Sequence, residues 1–155
     1  MREEPRDLFG MTDADAIVIP TNTETVRSPE GIAHAVMGAG VAKAAADRWP
    51  TLPIALAARM AEHGQEHVYV FDAYYATPAI VCLPTKRDWR KPSDIDLIWR
   101  MVDELKIVTR AMGWESVALP RLGCGLGGLS WDTQVRRVLV ELLDDRFVVC
   151  HQEGL

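Results

Sequence analysis

Two short segments of this 155-residue chain carry glycine where a backbone would have to come close to an anion. They are Met37-Gly38-Ala39-Gly40, running into Val41, and Gly123-Cys124-Gly125-Leu126-Gly127-Gly128. Without a Cβ the chain approaches a diphosphate closely and turns its N–H groups toward it, and the positive end of a following helix adds to the attraction. The other use of such glycines is simply to make tight turns. Neither segment is a Walker loop, since no Gly-Lys-Ser/Thr follows, and neither is a GxGxxG fingerprint opening the first helix.

A third position with chemistry is Lys86, directly after the apolar run Ala79-Ile80-Val81-Cys82-Leu83. A lysine at a strand end is held at a pocket edge, and an amine kept neutral by burial or by a cationic neighbour such as Arg87 attacks electrophilic carbon. Against this stands a solvated lysine in the basic run Lys86, Arg87, Arg90, Lys91. Trp89, inside that run, gives the one nucleic-acid-like feature: cations for phosphates and an indole to stack on an unpaired base. It equally suits the edge of a core. Cys124 lies where a helix N-terminus favours a thiolate, but no partner histidine is evident, and small size beside packed glycines accounts for it. His34 is a lone loop histidine.

These groups need elements to hold them. Strands are expected at 16–20, 68–71, 79–83, 116–120 and 146–150, each a short apolar, β-branched run of the buried kind. Helices are expected at 42–48, at 52–62 ended by His63-Gly64, at 93–112 and from Ser130 onward. In the third, Ile95, Ile98, Val102, Leu105 and Met112 mark one face, with Ser93 as N-cap and Gly113 as the stop. The order predicts an α/β fold, a three-layer α/β/α sandwich with a mixed, mostly parallel sheet, and one domain over residues 1–155. In such sheets ligands sit beyond the carboxyl ends of the strands, where both glycine segments fall.

Composition narrows the partners. With 48% hydrophobic and 25% charged residues the chain can bury a core. A formal charge of −5 gives no general attraction to a phosphate backbone, so any nucleic-acid contact must be local. Cys82, Cys124 and Cys150 are an odd number with no CxxC pair, indicating neither a disulfide framework nor a metal site. The acidic, proline-broken start and the lack of a long apolar run predict a cytoplasmic protein with no membrane partner, expected to be a monomer needing no cofactor.

Taken in order, Arg6-Asp7-Leu8-Phe9, Ala16-Ile17-Val18-Ile19-Pro20-Thr21-Asn22, Met37-Gly38-Ala39-Gly40-Val41-Ala42 and Leu119-Pro120-Arg121-Leu122-Gly123-Cys124-Gly125 resemble the macrodomain family, whose α/β/α fold binds ADP-ribose. With Leu83-Pro84-Thr85-Lys86-Arg87-Asp88-Trp89-Arg90 between them, they look most like its de-ADP-ribosylating branch. That branch contains the DNA-directed antitoxin macrodomains and the terminal ADP-ribose glycohydrolases. The resemblance implies an ADP-ribosyl hydrolase acting on modified DNA or protein, with a non-catalytic ADP-ribose reader or an ADP-ribose 1″-phosphate phosphatase as alternatives. By the same resemblance Asp7 takes the adenine amino group and Leu8 supplies backbone beside the ring. Asn22 lies near the distal ribose, although by itself it is equally an ordinary turn asparagine. Met37, Gly38, Ala39, Gly40 and Val41 would form one phosphate loop, and Pro120, Leu122, Gly123, Cys124, Gly125, Leu126 and Gly127 the other. Lys86, at the family's Pro-Thr-Lys position, and Asn22 would be the catalytic pair.

Two departures stand out. The segment 23–36 is longer than the compact family pattern, and it is expected either to overhang the distal ribose or to be a passive loop. The aspartate that the protein-directed hydrolases carry in the second loop is absent from Leu126-Gly127-Gly128-Leu129. Asp132 is the nearest acid, and an acid in a first helical turn ordinarily complements the helix dipole.

Overall fold

The computed structural model describes residues 1–71 and 78–152. Its elements run β1 (Arg2–Glu4), β2 (Ala16–Asn22), β3 (Thr25–Arg27), β4 (Ala33–Ala35), α1 (Gly40–Arg48), α2 (Leu52–His63), β5 (Tyr69–Phe71), β6 (Ala79–Lys86), α3 (Ile95–Met112), β7 (Val117–Pro120), α4 (Arg136–Leu142) and β8 (Phe147–Cys150). A 3-10 turn spans Leu8–Gly10 and a π-helical turn Trp131–Val135.

Among the described residues six strands form one sheet in the order β1-β8-β7-β2-β6-β5. Every pairing is parallel except β5 with β6 at the edge. The strands are apolar on both faces because helices cover both. Ala16, Val18, Val81, Leu83, Val117 and Leu119 face α3 and α4. Ile17, Ile19, Ile80, Cys82 and Ala118 alternate with them and face α1 and α2. Fully burying one such Ile or Leu contributes about 1.5–3 kcal/mol, so the register of β2 between its neighbours is firmly set. The expected three-layer sandwich is what forms.

The chain leaves β2 through α1 and α2 toward β5 and β6 on one side. It then crosses by α3 to β7 on the other side. The crevice outside the carboxyl ends of β6, β2 and β7 is therefore where a ligand is accommodated.

Three local expectations change. The N-cap of α3 is Asp94, whose carboxylate accepts from the N–H groups of Asp96 (2.9 Å) and Leu97 (3.3 Å), and not Ser93. Ser93 is drawn inward, with its N–H on the carbonyl of Gly127 at 2.8 Å. The segment 23–36 is a β3–β4 hairpin and not a loop. Its strands are three residues each, β3 exposed and β4 partly buried, too short to carry an apolar alternation that would announce them. The charged β1 was likewise illegible; Glu3 ties it down by accepting from Trp131 Nε1 (3.1 Å) and Arg136 Nε (3.0 Å). Gly113 does end α3, in the left-handed region at φ 71°.

Candidate functional site

A cleft of about 770 Å³ opens at the carboxyl ends of β2, β6 and β7, within the range of pockets that enclose a nucleotide-sized ligand. Its walls are the two glycine loops, its floor is Pro20, Thr21, Asn22, Thr85 and Ser93, and its rim carries Lys86, Trp89, Arg90 and Arg121.

The first wall ends in α1, whose N-cap Ala39 makes no side-chain cap hydrogen bond. The opening N–H groups of that helix thus keep their donors for whatever enters. In the second wall the loop is closed by bonds from Cys124 N–H to Arg121 O, Gly128 N–H to Gly125 O and Leu129 N–H to Gly123 O. Among the described residues the N–H groups of Gly125, Leu126 and Gly127 have no internal acceptor. Both sets of N–H groups belong to residues that line one cleft, an arrangement suited to a diphosphate. Leu126, 73% exposed, reaches across to within 4.0 Å of where a Cβ on Gly40 would lie, so the loops meet over the cleft.

The glycines of the second loop answer a steric demand. A Cβ on Gly127 would sit 2.2 Å from Ser93 Oγ and 2.5 Å from the Gly123 carbonyl oxygen. Gly123 holds φ 71°, and a Cβ there would approach Ile98 Cδ1 to 2.9 Å. The aspartate missing from this loop therefore has no room at Gly127.

Asn22 and Lys86 are brought together. They are direct partners across β2 and β6, after a register shift at Thr21/Asn22 that makes Thr85 the extra residue. A bulge of this kind re-aims a side chain at a strand end; here Thr85 turns inward and is buried, while Lys86 lines the cleft. Asn22 is also the clasp of the hairpin, its Oδ1 accepting from Glu24 N–H (2.9 Å) and its Nδ2 donating to Val36 O (3.0 Å). One N–H and one lone pair of the amide are left over, so its turn role and a ligand role coexist.

Among the described residues the cleft lining holds no Asp, Glu or His; its ionisable side chains there are Lys86, Arg90 and Arg121. An acidic chain thus presents a cationic cleft. Arg87, by contrast, points away from Lys86 and is not its cationic neighbour. It binds Glu66 (3.0 and 3.2 Å) and Asp94 (2.7 Å), and Glu66 also holds Arg100 at 2.6 Å. Hydrogen bonds from Arg87 foremost hold both carboxyl groups below the ordinary carboxylate range and raise the guanidinium. Thr23 Oγ1 donates to the Arg87 carbonyl at 3.2 Å, fastening the strand-end loop to the hairpin base.

Five residues expected at the ligand lie outside the lining. Leu8 and Met37 are buried beneath α1 and α2, and Leu122 in the opposite core, where their apolar side chains bury more area than a cleft wall offers. Cys124 packs half-buried against that same core, its thiol donating to Leu122 O (3.3 Å) and pushed up by burial to about 11, so it stays protonated. Asp7 is exposed and caps the Leu8–Gly10 turn through Phe9 N–H at 3.2 Å. Pro120, Gly123, Gly125, Leu126 and Gly127 do line the cleft, with Gly38, Ala39, Gly40 and Val41 opposite. His34 sits on β4 opposite Val26, and Asp132 in the first turn after Ser130, both away from it.

Sequence reasoning gives no place in the site to Thr21, Thr85, Ser93 and Arg121: Thr21, Thr85 and Arg121 stand inside quoted motifs without a role of their own, and Ser93 is expected only as a cap because it too precedes α3. Among the described residues no group of three or more His, Cys, Asp or Glu side chains is placed to share an ion, and no helix is long and apolar enough to cross a membrane.

A Macro domain family model matches residues 32–138, taking in both glycine loops and the lysine-bearing strand between them. The DNA ADP-ribosyl glycohydrolase of Mycobacterium tuberculosis is 33% identical over 108 residues, covering 67% of this chain and 31% of that protein. The chain thus spans about a third of the length of the curated relatives it matches. The macrodomain of Thermus aquaticus DarG superposes with a TM-score of 0.77 at 28% identity, covering 97% of each chain. The macrodomain of Mycobacterium tuberculosis DarG does so with 0.77 at 28%, covering 96% of this chain and 95% of that one. Fold, cleft and sequence agree, and the protein belongs to the Macro domain family.

Proposed function

We propose that the protein is an ADP-ribosyl hydrolase that removes ADP-ribose from modified DNA, acting as one macrodomain over residues 1–155 and as a monomer. The observation that carries this is the pairing of Asn22 with Lys86 at the open end of β2 and β6, in a cleft walled by free backbone donors. The relatives named DNA ADP-ribosyl glycohydrolase support the choice of substrate.

In this reading the glycine loops take the diphosphate, and the remaining donor and acceptor of Asn22 orient the distal ribose. The amine nitrogen of Lys86 attacks C1″ of that ribose. The bond from C1″ to the base breaks, its electron pair leaves with the base, and the proton shed by the new C–N bond goes to the base. Water then adds its oxygen to C1″ as the C1″–N bond breaks, one water proton returns to the Lys86 nitrogen, and ADP-ribose is released with the amine regenerated. Asp7, with one carboxylate oxygen already on Phe9 N–H, offers the other to the adenine amino group.

A second reading, a binder that releases nothing, is favoured by one observation: among the described residues no carboxylic acid or imidazole lines the cleft to donate a proton. The two separate cleanly. Wild type and Lys86→Ala are incubated with ADP-ribosylated DNA, ADP-ribosylated protein and ADP-ribose 1″-phosphate, following product release beside affinity for ADP-ribose. The variant is expected to lose about 10²–10⁴-fold in turnover while binding ADP-ribose within a few-fold of wild type. Binding without release by wild type would establish the reader, and release surviving in the variant would remove the lysine mechanism.

A further inference from the structure

Trp89 has no part in the core. Its indole is 55% exposed, yet it lines the cleft three residues beyond Lys86. Exposing that much of a tryptophan costs apolar burial unless something else covers the ring. Its surroundings are ordered: the Arg90 guanidinium lies 5.8 Å from the ring centroid. Arg90 is in turn held by both carboxylate oxygens of Asp88 (3.1 and 3.3 Å) and, more loosely, by Glu24 at 3.9 Å. Glu24 follows Asn22 by two residues and is bonded to its side chain. The ring is thereby tied to the Asn22–Lys86 end of the cleft, the end where anything carried on the distal ribose must emerge.

We propose that Trp89, backed by Arg90, seats the nucleobase that bears the ADP-ribose, stacking on it as an unpaired base in single-stranded nucleic acid. The inference rests on the ADP-ribosyl hydrolase reading above and names what its substrate must present. An aromatic face is sequence-tolerant and suits any base, and Arg90 and Lys91 beside it meet the flanking phosphates. A protein side chain carrying ADP-ribose has no planar base to place there, so the seat selects nucleic acid over protein.

Equilibrium binding tests this in a Lys86→Ala background, so that nothing is consumed. The probes are a single-stranded oligonucleotide carrying one ADP-ribose on a base, a peptide carrying one ADP-ribose on glutamate, and free ADP-ribose. Adding Trp89→Ala is expected to weaken the modified oligonucleotide by about 5- to 150-fold, the loss of one base–aromatic stack. Trp89→Phe recovers most of that loss, and the other two probes are unchanged. Equal losses on free ADP-ribose would place the ring in the nucleotide pocket itself, and equal losses on the peptide would remove base recognition. No change on any probe would make the ring a bystander; each of these overturns the proposal. Affinity of the wild type for free ADP-ribose is read separately, and its absence would defeat the functional reading instead.

Discussion

Each catalytic and binding assignment depends on single atoms. Gly127 is the plainest case, because its replacement collides with two things of different kinds. The Ser93 hydroxyl at 2.2 Å can rotate away, but the Gly123 carbonyl at 2.5 Å belongs to the loop itself. Gly127→Ala is therefore expected to reshape the second loop, weakening ADP-ribose at least tenfold by calorimetry and lowering stability by about 1–3 kcal/mol. Adding Ser93→Ala should not restore either, whereas Gly125→Ala, with nothing within 4 Å of its Cβ, should be tolerated. Recovery with Ser93→Ala would show that the hydroxyl alone imposes the glycine. Cys124 illustrates the opposite outcome, a residue in the right loop whose side chain faces the wrong way.

At the scale of elements, what aims Lys86 is a bulge and a brace. The bulge at Thr85 sets the strand end, and the Glu66–Arg87–Asp94 ion pairs, with Arg100, hold the loop that follows. The folded-state values of Glu66 and Asp94 are depressed. Their contribution is accordingly complete above the ordinary carboxylate range and is lost only as pH falls through the depressed values. The groups are partly to fully exposed and screened by solvent, so the brace adds little to global stability. Its effect belongs to geometry. Glu66→Gln is expected to lower kcat roughly two- to fivefold while leaving ADP-ribose affinity and the melting temperature nearly unchanged. A parallel loss of affinity would show that the brace shapes the phosphate loops instead.

At the scale of the whole molecule, a chain of net charge −5 lines its cleft with three cations, Lys86, Arg90 and Arg121. Few phosphates outside the modified nucleotide can be neutralised, so binding of the ADP-ribosylated oligonucleotide should depend only weakly on salt. The expected slope of log K against log salt is no steeper than about −2, at roughly −0.7 per phosphate contacted in single strands; a steeper slope measured by titration would reveal a wider basic track. The sequence by itself determined the layers, the order of the central strands' runs, the helix that Gly113 stops and the two glycine loops that wall the cleft. Burial on both faces and glycine at tight turns leave periodic, local marks. Only the tertiary structure decided that Met37, Leu122 and Cys124 turn into the cores, that Asp94 and not Ser93 caps α3, and that 23–36 is a hairpin clasped by Asn22. It also decided that Arg87 serves the brace and not the lysine. These outcomes depend on which partners lie across the sheet and on a one-residue register shift, neither of which is written into any local stretch of the chain.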